Sequence, residues 1–212
     1  MVNRFNFNNL GYVMADISDE LSAMLNGEVE YIKNNFESST PYNQYLAGHI
    51  KREYQLVSSV RMLEEFVLPL TQEYDRLFDY NSTVNILTDD LPMCVKNAWV
   101  NYQSKGEFNP THNHAGVYSF VIWLKIPYDI KEEFKVFRHE NDGEDKIPMT
   151  SAFQFSYVNT LGQIGTHHIH VDKTYENKLI LFPSKMMHCV YPFYTSDDYR
   201  ISVAGNVSIR AK

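Results

Sequence analysis

The chain of 212 residues carries a formal net charge of −7 and no run of Lys or Arg, which argues against docking along a nucleic-acid backbone. At 44% apolar residues, with 15 Tyr, 13 Phe and 2 Trp, it describes an ordered globular protein long enough to bury a sizeable core. Two cysteines, Cys94 and Cys189, are too few for a disulfide framework and read as buried free thiols of a reducing compartment. The opening MVNRFNFNNLGYVMAD lacks the apolar centre of a signal peptide, and no apolar run approaches the ~18 residues needed to cross a bilayer. The expectation is a soluble, cytoplasmic protein without a membrane partner.

The first third reads helical. Ser18 followed by Asp19 and Glu20 makes an N-cap with acids in the first turn, and Leu21, Met24, Leu25, Ile32 and Phe36 then fall near one helical face. The segment Ser38 to Gly48 breaks the pattern with a Pro and a Gly. A second stripe, Leu56, Val60, Leu63, Val67, Leu70, Tyr74 and Leu77, recurs in steps of four and three, with Pro69 inside it expected to kink or interrupt the helix. Such Leu/Val stripes are packing faces, so both helices read as buttresses against a sheet.

From about Asn81 the character changes to short β-branched and aromatic segments alternating with turn residues. Candidate strands are Val95–Gln103, Val117–Ile126, Phe153–Asn159, Thr166–Val171, Lys178–Phe182, Cys189–Phe193 and Ile201–Ile209. The charged stretch Lys131 to Pro148 reads as a surface loop. Helices first and strands after suggest a mainly β (α+β) sandwich or jelly roll. The chain is read as one domain over 1–212, with a helical flank at 1–80 and a jelly-roll core at 81–212.

Eight histidines carry the chemical interest. In GEFNPTHNHAG, His112 and His114 are two residues apart just before a strongly β segment, a spacing that puts two imidazoles on one strand face, where they can share a metal ion. His188 enters a later strand from LILFPSKMMHCVYPF, and twelve residues on RISVAGNVSIR alternates so that Arg200 and Ser202 share a face. A core-facing Arg needs an anionic partner, and no neighbour in sequence supplies one; a distant Asp or Glu and a ligand carboxylate are both open. His168 and His170 repeat the two-residue spacing, with Asp172 continuing that face and His167 beside them, and form a second, weaker candidate. His49 and His139 lie in polar contexts and are expected to be solvated.

The ordered set GEFNPTHNHAGVYSFVIWLKIP, LILFPSKMMHCVYPF and RISVAGN, with LAGHIKREYQL in the helical part, resembles the 2-oxoglutarate- and Fe(II)-dependent oxygenases, and more narrowly those of tailed bacteriophages and some bacteria. The resemblance covers roughly residues 95–126 and 178–208. It implies a double-stranded β-helix (jelly roll) with N-terminal flanking helices, Fe(II) as metal and 2-oxoglutarate as co-substrate. His112 and His188 match the metal-binding histidines, while Arg200, with Ser202, matches the residues that grip the distal carboxylate of 2-oxoglutarate. Tyr102 falls where such enzymes place a co-substrate-binding tyrosine, and Trp123 where an aromatic walls the pocket. His114 departs from the pattern by standing where a carboxylate ligand is usual; ligation by a third neutral histidine and a bystander role are both open.

The implied activity is oxidation by a 2-oxoglutarate-dependent dioxygenase, a hydroxylase by default, with halogenation open because the anionic ligand is missing. The primary substrate is expected to be a peptide side chain first and a small metabolite second, and an oligomer is possible. Two rival readings remain: a cupin-like metal enzyme that needs no 2-oxoglutarate, and a non-enzymatic jelly-roll structural or binding module of a phage.

Overall fold

Ser18 opens the first helix, its hydroxyl accepting the Leu21 N–H at 3.2 Å while Asp19 and Glu20 meet the positive end of the helix dipole. This helix, α1 (Asp19–Asn34), buries Leu21, Leu25, Val29 and Ile32. It also caps its successor, because the Glu28 carboxylate accepts the N–H groups of Val57, Ser58 and Ser59 at 2.7–2.8 Å. Those groups lead into α2 (Val60–Phe78), which buries Leu63, Val67, Thr71 and Tyr74 and is not interrupted at Pro69. A short helix α3 (Tyr80–Thr83) follows. The computed structural model of the protein describes residues 9–84, 92–138 and 147–210; His139 lies outside them.

Ten strands form two antiparallel sheets. The larger has the order β1 (Val13–Asp16), β8 (Lys178–Pro183), β5 (Tyr118–Lys125), β10 (Arg200–Ile209), β3 (Met93–Gln103), β2 (Glu53–Gln55). The smaller has the order β4 (Asn109–His112), β9 (Met187–Val190), β6 (Ala152–Val158), β7 (Ile164–His170). This is the jelly roll of two facing sheets with helices on its flank. All seven expected strands are present with shifted ends, and the N-terminal third is not purely helical, since β1 and β2 close the two edges of the large sheet.

The large sheet is buried on both faces, which is why its central strands read as nearly continuous apolar runs. One face packs Val100, Tyr102, Tyr118, Phe120, Ile122, Leu179, Leu181 and Val203 against the helices. The other turns Trp123, Ile180 and Phe182 toward Phe153, Phe155 and Ile169 of the small sheet. A helix α4 (Ile130–Val136) corrects the expected loop from Lys131. Asp129 caps it, accepting the Lys131 N–H at 2.8 Å, and Glu133 is fully buried yet accepts from Thr150 Oγ1 and from the N–H groups of Tyr194 and Thr195.

Candidate metal centre

Strands β4 and β9 pair so that His112 lies directly opposite His188. Their ring centroids are 4.3 Å apart, and His114 stands 4.9 Å from the first and 5.0 Å from the second. One ligand atom from each of the three falls within 4.8 Å of the others, a grouping that can hold a metal ion. Among the described residues it is the only such group of three or more His, Cys, Asp or Glu side chains.

The backbone fixes how two of the rings are presented. His112 Nδ1 lies 2.7 Å from the Pro110 carbonyl and His188 Nδ1 lies 3.0 Å from that of Met186. A carbonyl only accepts, so each Nδ1 carries the proton and each Nε2 keeps a lone pair for the cluster. His114 lies two residues beyond the end of β4 and is held from the main chain, its N–H donating to Ser184 O at 2.8 Å. Gly116, at φ +102°, then turns the chain into β5; a Cβ there would come within 2.7 Å of the Val207 carbonyl. Burial keeps all three imidazoles neutral at ordinary pH. It pulls His188 down to about 3 and His114 to about 4, each further lowered by the neighbouring His112, and lowers His112 as well. Neutral imidazoles are the form that binds metal.

The cluster opens into a cleft between the two sheets. Trp99, Asn101, Gln103, Val121, Trp123, Arg200 and Ser202 line it from the large sheet and Phe153 and Val190 from the small one. Segment 46–50 contributes one rim, and Gly48 lies so close to Asn109 that a Cβ would fall 1.9 Å from its Oδ1.

Arg200 is 2% exposed and all five of its N–H groups are used. Nε and Nη2 both donate to Gln103 Oε1, at 2.9 and 2.6 Å. Nη1 donates to Tyr128 Oη and Ser151 O, and Nη2 also to Tyr191 O. Every acceptor is neutral. Ser202, the partner of Asn101 across β10 and β3, accepts from Asn101 Nδ2 at 3.2 Å. Trp123 packs edge-on to Phe153 with centroids 6.0 Å apart.

Tyr102 is the expectation the structure overturns. It lies between Asn101 and Gln103 on β3 and therefore points the other way, into the helix-backed core, where it is fully buried and its hydroxyl donates to Val29 O. The cleft is served instead by its two neighbours and by Trp99, which the resemblance alone did not reveal. The alternation in WVNYQ, with Val100 and Tyr102 out of phase with the polar pair, was the available signal.

The second histidine group does not form a metal cluster among the described residues. His168 hydrogen-bonds through Nε2 to Gln154 Oε1 at 2.8 Å, on the face of β6 that alternates with the cleft-side Phe153 and Phe155. His170 packs edge-on to Phe134, and His167 Nε2 meets Tyr12 Oη at 3.3 Å. His49 is exposed and stacks on Phe108, 4.7 Å between centroids. No helix among the described residues is long and apolar enough to cross a membrane.

Comparison with known proteins bears on this geometry. A family model described as "Putative 2OG-Fe(II) oxygenase" matches residues 97–206, a span that holds all three histidines, Arg200 and Ser202. A prolyl-4-hydroxylase from Pseudomonas putida is similar in fold with a TM-score of 0.53 at 14% identity, over 95% of this chain and 94% of that one. An oxidoreductase of the 2OG-Fe(II) oxygenase family from Burkholderia pseudomallei gives 0.49 at 15% identity, over 93% and 84% of the two chains. A viral collagen prolyl hydroxylase from Paramecium Bursaria Chlorella virus-1 gives 0.48 at 11% identity, over 92% and 94%. The tailed-phage source suggested by the motif resemblance gains no support from these. Among curated proteins no relative matches the sequence.

Proposed function

Because the chain belongs to the 2OG-Fe(II) oxygenase family, we propose that it is a 2-oxoglutarate-dependent dioxygenase that hydroxylates a peptide side chain or a small molecule. The observation that carries the reading is Arg200: a guanidinium 2% exposed, on the wall of the cleft that holds three imidazoles, with only neutral acceptors among the described residues. A buried cation so placed is completed by an anion that arrives with a ligand.

In this reading His112, His114 and His188 hold Fe(II), Arg200 and Ser202 take the far carboxylate of 2-oxoglutarate, and Trp123 walls the cleft. The metal and the co-substrate together supply the oxidising power that a C–H bond demands. The chain's own residues position and shield: Trp99, Val121, Trp123 and Phe153 form an apolar lining that limits water and suits an aliphatic group beside the metal. The Pseudomonas relative acts on a prolyl residue, as its name states, and a peptide side chain is accordingly the first substrate class we infer. The flank and the sheet core serve as one oxygenase domain over 1–212, because β1 and β2 of the flank are hydrogen-bonded into the sheet that carries Arg200.

Halogenation is the second outcome, favoured by one specific feature. His114 stands where the usual triad has a carboxylate, so three neutral ligands leave the ion's charge unbalanced by protein and favour a further anion at the metal.

Titration of the purified protein with Mn(II), followed by oxygen uptake and succinate release with Fe(II) and 2-oxoglutarate, tests the reading. Wild type is expected to bind a stoichiometric metal, and His188→Ala and His112→Ala to lose at least about 100-fold in affinity, since even outer partners of ligands cost 10–100-fold. Metal binding without 2-oxoglutarate-dependent oxygen uptake would favour a cupin-like enzyme. No stoichiometric metal, and no effect of His112→Ala, would leave a binding module.

A further inference from the structure

Arg200 and Gln103 face each other across β10 and β3, and Ser202 and Asn101 form the next cleft-side pair along. Gln103 Oε1 accepts from both Nε and Nη2, the edge of a guanidinium that a carboxylate grips with two oxygens. We propose that Gln103 is an internal stand-in for the co-substrate's carboxylate, exchanged for it on binding, and that this exchange sets the affinity for 2-oxoglutarate. The inference rests on the co-substrate role given to Arg200 above.

The geometry leaves one edge of Arg200 accessible to an incoming anion. Its far end is closed by the carbonyls of Ser151 and Tyr191, and both belong to chain that is hydrogen-bonded on the spot: Ser151 N–H donates to Pro192 O at 2.7 Å and Tyr191 N–H to Ala152 O at 2.8 Å. Tyr128 Oη, the remaining acceptor, is itself tied to Val171 O at 3.0 Å. Withdrawing any of these means moving backbone or a buried ring. Gln103 needs only side-chain rotation, and the single bond that restrains its amide is from Nε2 to Glu107 O. An amide oxygen carries no net charge, so a carboxylate replaces it on the guanidinium with a stronger, charge-assisted pair. Ser202 lies beside that edge and, while accepting from Asn101, keeps its own O–H to donate to the second oxygen.

Calorimetric titration of 2-oxoglutarate into the Mn(II)-loaded protein reads the exchange without turnover. Gln103→Ala removes the competing oxygen, and Gln103→Asn is too short to keep it in place; both are expected to bind 2-oxoglutarate about tenfold more tightly. Gln103→Glu places a permanent anion on Arg200 and is expected to weaken binding by at least about 100-fold. Unchanged or weaker binding in Ala and Asn variants, or wild-type affinity in Gln103→Glu, would overturn the exchange. Arg200→Met separates the two claims. If it alone loses 2-oxoglutarate while the Gln103 variants match wild type, the function stands and the exchange falls. If it binds as wild type does, the role of Arg200 falls and the exchange with it.

Discussion

The two faces of the large sheet are made by the same strands and differ in almost everything else. On the helix-backed side of β3 and β10, Val100, Tyr102, Ile201 and Val203 interlock with α1 and α2, and the one hydroxyl of the set is matched to a single backbone carbonyl. On the cleft side, the alternate residues Trp99, Asn101, Gln103, Arg200 and Ser202 form a polar chain whose acceptors are all neutral around a cation. One face is a closed apolar core; the other is arranged around a buried cation held by neutral acceptors. Stability and chemistry are thus separated by a side-chain period of two.

Substitutions that respect or cross this division test it, beginning with the largest effect. Phe120→Ala deletes a fully buried ring from the helix-backed face and should cost about 3–5 kcal/mol by chemical denaturation while leaving the Mn(II) affinity of the folded protein intact. Metal affinity that fell in step with stability would show that the faces are coupled.

Glu53 is the residue that crosses the division. It sits opposite Asn101 on the cleft-side face, 1% exposed, with Oε1 lacking any hydrogen-bond partner and Oε2 accepting from Asn43 at 3.0 Å. Burial, and then the charge of Glu107, push its carboxyl up to about 7 from an ordinary 4.5. The unfolded chain ionises this group first, so stability falls as pH rises from about 4.5 to about 7 and the full penalty persists above that. Glu53→Gln should therefore stabilise the protein by about 1–3 kcal/mol at pH 7.5 and make little difference at pH 4.5. The same slope of stability against pH in variant and wild type would remove Glu53 as its source.

The smallest effect is the sharpest for Tyr102. Tyr102→Phe loses one buried hydrogen bond, worth about 1 kcal/mol of stability, and should bind 2-oxoglutarate as wild type does. A several-fold change in co-substrate affinity without loss of stability would return this residue to the cleft.

Much of this was legible in the sequence where the physics is local. The Ser18 cap, the apolar stripes of α1 and α2 and the seven expected strands follow from residues within a turn or a pleat of one another. The His112–His114 and Arg200–Ser202 pairs were readable because each is marked by a two-residue spacing, and His188 joined them through the motif resemblance. What failed was whatever depends on a distant partner. Strands β1 and β2 are four and three residues long and exist only as edges to β8 and β3. Helix α4 hides behind a charged sequence because the acceptor at its centre, Glu133, is satisfied by Tyr194 and Thr195, some sixty residues away. Tyr102 failed for another reason: the resemblance gives a position along the strand but not the face, and one position in either direction exchanges core for cleft.

The bare backbone at Gly48 acts on a different scale from any of these groups. The segment at 46–50 rests against Asn109 because nothing projects from residue 48, and it thereby fixes the near rim of the cleft. The mouth of the cleft beside the three histidines is thus narrowed where a methyl group is missing. A side chain at residue 48 would require the Asn109 amide to turn away or the rim to lift, so the width of the cleft mouth can change without altering any of the three histidines.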